Sequence, residues 1–191
     1  LKLSPALSEV IGIQGFPISN VSFLMGFSNT GKTTALLEGI IAAQNQNVLP
    51  IILVTEKKFS FPHLKEMGFK CELVDVVDEE TGEIQKQWEG DFIYKDDFLT
   101  SNEIYEFMNQ IIEDTKNGKL PYNVCFFIDS LNKLPCKMSL EKAFEGGGGN
   151  MHNARTHTEL FGGVLEPKIT ATKYEEIYPY TVSMVAILRG Y

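Results

Sequence analysis

Little in this 191-residue sequence speaks for a membrane protein, a disulfide scaffold or a metal-stapled fold. Its longest apolar runs, such as VCFFI and PIILV, fall far short of the about 20 residues a bilayer-spanning helix needs, and its opening residues do not read as a signal peptide. Cysteine is scarce: Cys71, Cys125 and Cys136 are odd in number and lack C-x-x-C spacing, which indicates reduced thiols and a cytoplasmic setting. His63, His152 and His157 do not fall at ligand spacing with them, so no zinc site is expected. Tryptophan occurs once, as Trp88, and arginine twice, as Arg155 and Arg189. There is no internal repeat, and the one low-complexity piece is the GGGG run at 146–149, which reads as a loop or linker.

Positive charge is also short, with 17 basic residues against 25 acidic ones and a net charge of -8, which taken as an average argues against a polyanion partner. The average misleads. Residues 65–114 hold 15 acids and four lysines, so bases outnumber acids over the rest of the chain. A local polyanion site is therefore compatible with the composition.

What is present is an alternation of apolar runs and helix-period segments. VSFLM (21–25) reads as a short buried strand, and a helix follows on Ala35, Leu36, Leu37, Ile40, Ile41 and Ala43. LPIILVTE (49–56), YNVCFFID (122–129) and YTVSMVAIL (180–188) read as strands buried on both faces. A short helix over 61–69 stops at Gly68, and residues 71–94 form two strands of an acidic hairpin turning at Thr81-Gly82. A helix over 101–119 is capped by Ser101, carries the stripe Ile104, Phe107, Met108, Ile111 and Ile112, and closes at Gly118. Residues 151–167 are helical in tendency. The pattern predicts an α/β fold with a mostly parallel sheet flanked by helices, plus the acidic hairpin.

Between the first strand and the first long helix stands GFSNTGKTT (26–34), which matches G-x-x-x-x-G-K-[ST]. Gly26 and Gly31 permit backbone angles and close approaches that a side chain forbids. The N–H groups of the following residues then face one concavity at a helix N-terminus, a cradle for phosphate. Gly26, Ser28, Asn29, Thr30, Gly31, Lys32, Thr33 and Thr34 are the candidate nucleotide-binding residues, with Lys32 reaching the β/γ-phosphates and Thr33 ligating Mg²⁺. Asp129 ends an apolar strand as a Walker B acid does and is the second candidate Mg²⁺ ligand. Glu56 ends another buried strand, at the sheet edge where α/β proteins bind ligands, and is the candidate catalytic carboxylate beside Lys32.

Residues 10–44, 55–69 and 118–137 together resemble the RecA-family ATPase core. QGFP leads into the first strand as that family's GG(L/F)P turn does, and FIDSLNKL is most similar to the Walker B region of phage UvsX-type recombinases. The resemblance implies a single RecA-like P-loop core over 1–191, with ATP and Mg²⁺ as cofactors. It implies a DNA-dependent ATPase that coats single-stranded DNA as a homo-oligomeric filament and exchanges strands in recombination and repair, in the cytoplasm of a phage-infected host. Single-strand-binding and mediator proteins would be further partners. The alternatives are a RecA-fold replicative helicase and a nucleotide-gated recombination mediator without turnover; a small-molecule P-loop kinase would need more arginine than this chain has.

The resemblance also sets expectations of what is missing: an N-terminal oligomerisation element, a polar γ-phosphate sensor where Arg189 follows VAIL, and further C-terminal strands. The chain opens without methionine and stops just after an apolar strand, so a partial chain is expected. NARTHTELF (153–161) lies where the relatives carry a basic helix, and Lys137, Lys142 and Arg155 are the candidate DNA contacts. Lys133, Lys168 and Lys173 add charge around them, and His152 and His157 could add hydrogen bonds. Trp88, Phe92 and Tyr94 lie in the acidic stretch, which repels DNA, so they read as hairpin packing rather than base stacking.

Overall fold

The computed structural model of the chain describes residues 1–56, 59–78, 81–144, 150–174, 176 and 178–188. The glycine run 146–149, the lysines at 57 and 58 and the arginine at 189 lie outside the described residues.

Five strands make the main sheet: β1 (Val21–Leu24), β2 (Val48–Val54), β5 (Ile93–Lys95), β6 (Asn123–Asp129) and β7 (Val182–Ile187). Their order is β1-β7-β6-β2-β5 and every pairing is parallel. The continuous apolar runs dictate this arrangement, because alternate residues bury on opposite faces. On β6, Cys125 and Phe127 enter one core, while Val124, Phe126 and Ile128 enter the other. β2 and β7 divide in the same way, with Ile52, Val54, Val185 and Ile187 on the first side and Ile51, Leu53, Met184 and Ala186 on the second. Each large side chain buried like this contributes on the order of 1.5–3 kcal/mol.

The first core is roofed by α2 (Lys32–Asn45) and by α3 (Phe61–Glu66). Helix α2 sits close because Gly39 faces the sheet: a Cβ there would come within 2.9 Å of the Phe16 ring and 3.0 Å of the Phe127 ring. The second core is covered by α4 (Ser101–Lys116) and a helical stretch over 150–171. That stretch is α6 (Asn150–Thr156), a π-helical segment (His157–Leu165) containing Gly162-Gly163, and α7 (Glu166–Ala171) with Pro167 in its first turn. It extends the expected helix, and the bond pattern widens over the residues of lowest helix propensity. A short α1 (Pro5–Ile11) and α5 (Lys137–Phe144) complete the helices named here.

Three local expectations need correction. β1 is not a buried strand: it lies at the sheet margin, and Phe23 is 41% exposed, because β7 flanks it on one side only. The second hairpin strand does not run to Tyr94. β3 (Glu72–Val77) pairs antiparallel with β4 (Ile84–Glu89), and after Gly90-Asp91 the chain enters the main sheet as β5. The chain crosses itself there, since a Cβ on Gly90 would lie 2.7 Å from the Lys70 carbonyl oxygen. Finally, the cap of α4 is Thr100 and not Ser101, which is fully buried in the first turn.

Thr100 accepts from the Glu103 N–H and donates to Glu103 Oε1 at 3.1 Å, while Glu103 Oε2 accepts from Leu99 N–H at 2.9 Å. This is a variant of the capping box in which Glu103 reaches back to the N–H of the residue before the cap. Replacing Thr100 by Ala is expected to cost about 1 kcal/mol, read as a lowered urea midpoint at unchanged slope, and Thr100→Ser is expected to restore most of it.

Candidate functional site

The carboxyl ends of four strands fall in one row. Leu24 of β1 is in register with Ile187 of β7, Ile187 with Asp129 of β6, and Asp129 with Val54 of β2. Whatever follows Leu24, Asp129 and Val54 must therefore meet at one sheet edge, where open α/β sheets bind ligands. Residues 26–34 follow the first, and Glu56 lies two residues past the last.

Gly26 and Gly31 take φ of 149° and 86°, and Asn29 takes 62° between them. Thr30 closes the turn by donating its hydroxyl to the Phe27 carbonyl at 2.8 Å. Helix α2 begins at Lys32 with Gly31 as N-cap, and no side chain caps it; α1, α3 and α4 are capped by Ser4, Ser60 and Thr100. Its first turn also holds no acidic residue. Free N–H groups and the positive end of a helix dipole are the features by which a helix N-terminus can take an anion. Ser28, Asn29, Thr30, Gly31, Thr33 and Thr34 are exposed and Lys32 is half-buried. Lys32 Nζ donates to the carbonyls of Gly26 at 2.8 Å and Phe27 at 2.6 Å, which holds the ammonium over the loop.

Across the row, the Thr33 hydroxyl donates to Asp129 Oδ2 at 3.5 Å. A hydroxyl at the start of a helix facing a carboxylate at the end of a strand is an oxygen donor pair of the type Mg²⁺ takes, with phosphate and water completing the shell. Among the described residues there is no group of three or more His, Cys, Asp or Glu side chains suited to a metal. Glu56 and Asp129 are both half-buried.

Between the two acids lies a residue that sequence reasoning passed over. Thr55 N–H donates to the Asp129 carbonyl at 2.9 Å. Its hydroxyl lies 3.0 Å from both the Ser130 N–H, from which it accepts, and the Ser130 carbonyl, to which it donates. A polar β-branched residue just before a strand-end acid was the available signal; its partners, 75 residues away, were not readable.

The candidate DNA residues gather less tightly. Lys137 is exposed on α5. Lys142 Nζ lies 2.8 Å from His152 Nε2, tying α5 to α6. Arg155 pairs with Glu159 at 2.7 Å on the surface. Lys133 is exposed, and Lys173 Nζ lies 5.1 Å from the centre of the Tyr174 ring. Two others turn inward. Lys168 bonds Asn109 at 2.6 Å and Glu113 at 2.7 Å on α4, and its ammonium holds the Glu113 carboxyl below the ordinary range. His157 packs half-buried against α4 with its Nδ1 on the Tyr105 hydroxyl, and burial lowers its pKa.

Trp88, Phe92 and Tyr94 surround Phe61, with ring centres 5.4, 5.3 and 5.0 Å away. They pack onto the first core, in line with the packing role expected for them. The three cysteines are buried and free, and among the described residues no helix is long and apolar enough to cross a membrane.

No family model matches the chain. It is similar to the protein RecA of Desulforapulum autotrophicum and to the protein RecA of Chlorobaculum parvum. Each is 30% identical to it over 80 residues, which is 42% of this chain and 23% of the relative. The chain thus matches less than a quarter of the length of these curated relatives. The parallel α/β sheet is compatible with a RecA-like core, and the similarity supports a RecA-family relationship over the matched stretch.

Proposed function

We propose that this chain is the Mg²⁺-dependent ATPase core of a DNA strand-exchange recombinase of the phage UvsX type. The observation that carries the reading is the single row of strand ends that brings Thr33 to 3.5 Å from Asp129. Lys32 and Glu56 follow the first and last strands of that row in the chain, and the reading assigns them to the same edge. Mg-ATP bound there supplies the γ-phosphoryl group and the charge that activates it. The chain's own residues do the rest. The α2 N-terminus and loop N–H groups bind phosphate oxygens, and Lys32 exchanges loop carbonyls for them. Thr33 and Asp129 hold the cation, and Glu56 orients a water and takes its proton.

Single-stranded DNA is the proposed activator, held as phosphate by Lys137, Lys142 and Arg155 while copies of the chain assemble along it. The RecA similarity and the exposure of Lys137 and Arg155 support this reading. The test is ATP hydrolysis by the complete protein with and without single-stranded DNA across a salt series. Stimulation of roughly tenfold or more, fading steeply between 50 and 200 mM salt as phosphate contacts dictate, is the expected result. Joint replacement of Lys137 and Arg155 by Ala is expected to flatten the salt slope and leave basal turnover unchanged. Hydrolysis indifferent to DNA would overturn the DNA reading.

A further inference from the structure

The geometry points to Thr55 as a positioning residue that sets the two proposed ATPase carboxylates, Asp129 and Glu56, against each other; the inference rests on the roles proposed for those acids. The regular ladder between β2 and β6 ends at the pair Val54 and Asp129. Beyond such a pair two chains usually diverge into loops, and here both continue into residues that need fixed directions. Thr55 holds them together with main chain and side chain alike.

Its N–H bonds the Asp129 carbonyl at 2.9 Å, one step past the register. Its hydroxyl then bridges both sides of Ser130, accepting from the N–H and donating to the C=O at 3.0 Å each, with the Asp129 carbonyl a further 3.3 Å neighbour. The bridge matters because Ser130 is fully buried, so water cannot replace it. On the far side, Leu131 N–H donates to the Ile187 carbonyl at 3.0 Å. The backbone leaving Asp129 is therefore gripped by β2 and β7 together. With its own backbone and the next residue fixed, the Asp129 carboxylate has little freedom to swing away from Thr33. Glu56 is the next residue of the chain that does the gripping, so the same contact sets the spacing of the two acids.

Serine can make the same bridge and valine has the same shape without it, which separates the hydroxyl from the packing. The experiment measures the Mg²⁺ concentration needed for half-maximal binding of a fluorescent ATP analogue, together with kcat, KM and melting temperature. It compares wild type, Thr55→Val and Thr55→Ser in the complete protein. In Thr55→Val, half-saturation by Mg²⁺ is expected to move up by roughly tenfold and kcat to fall by roughly 10- to 100-fold, the range seen when a partner orienting a metal ligand is removed. Thr55→Ser is expected to stay within about threefold of wild type, since it keeps the bridging hydroxyl. Equal Mg²⁺ dependence and kcat in Thr55→Val and wild type would overturn the inference. So would equal losses in valine and serine variants, which would make the residue a packing element. A wild-type protein that binds no nucleotide in the presence of Mg²⁺ would instead overturn the ATPase reading itself.

Discussion

Replacing Glu56 by glutamine is expected to lower steady-state ATP turnover by at least roughly a hundredfold, in the range typical of a lost general base, while nucleotide binding stays within a few-fold of wild type. The two residues share shape and hydrogen-bonding reach, so the site edge keeps its form. What disappears is the ability to hold a proton. Glu56 follows Thr55, whose backbone is pinned to Asp129, so neither substituent has room to relocate the strand end. The measurement pairs kcat with the dissociation constant of a fluorescent ATP analogue, in the presence and absence of single-stranded DNA. Retained turnover would reduce Glu56 to an acid that merely opens a loop. Loss of both turnover and binding would mark it as a phosphate-site residue rather than a base. If DNA still tightens nucleotide binding to the variant, coupling of the two sites does not require hydrolysis.

How much of this edge was legible in the sequence depended on where each signal resides. β2, β6 and β7 are written as unbroken apolar runs because both of their faces bury, and the structure places them side by side. β1 has an equally apolar sequence yet is half-exposed, since burial of a strand depends on its neighbours and not on its own residues. The capping box of α4 was present as Thr100 and Glu103, three apart; Ser101 competed for the same role because both types cap well. Gly90 could be read as a turn, but only the crossing of the Lys70 backbone shows why the hairpin must end there. The loop at 26–34 offers its whole pattern in the sequence, because the demands of a phosphate cradle are local and each residue type would answer one of them. The pairing of Thr33 with Asp129 needed a register 96 residues long, and that of Thr55 with Ser130 one of 75. Chemistry confined to a loop is readable in order; chemistry made by strand register is readable only once the sheet is ordered.

Lys32→Ala is expected to remove most of the response of the protein to nucleotide, and thermal unfolding reads this without any turnover. A ligand that binds only the folded state stabilises it by about 2.7 kcal/mol at a hundredfold excess over its dissociation constant. Wild type is therefore expected to melt higher by roughly 5–11 °C at that excess of ATP with Mg²⁺, and the variant to keep only a small part of that shift at the same concentrations. Without nucleotide the two should differ far less. The bonds from Lys32 Nζ to the Gly26 and Phe27 carbonyls lie at a half-exposed position where water can replace the ammonium. That asymmetry is the distinguishing result. A lysine serving only to tie down the loop would change the melting of the nucleotide-free protein and leave the ligand-induced shift in place, because the loop N–H groups and the α2 terminus would still bind phosphate. A lysine that exchanges two carbonyls for phosphate oxygens does the reverse. Lys32→Arg sharpens the comparison, since a planar guanidinium keeps the charge but does not fit where a compact ammonium bridges two carbonyls of one turn. It is expected to leave the nucleotide-free melting near wild type and to recover little of the shift.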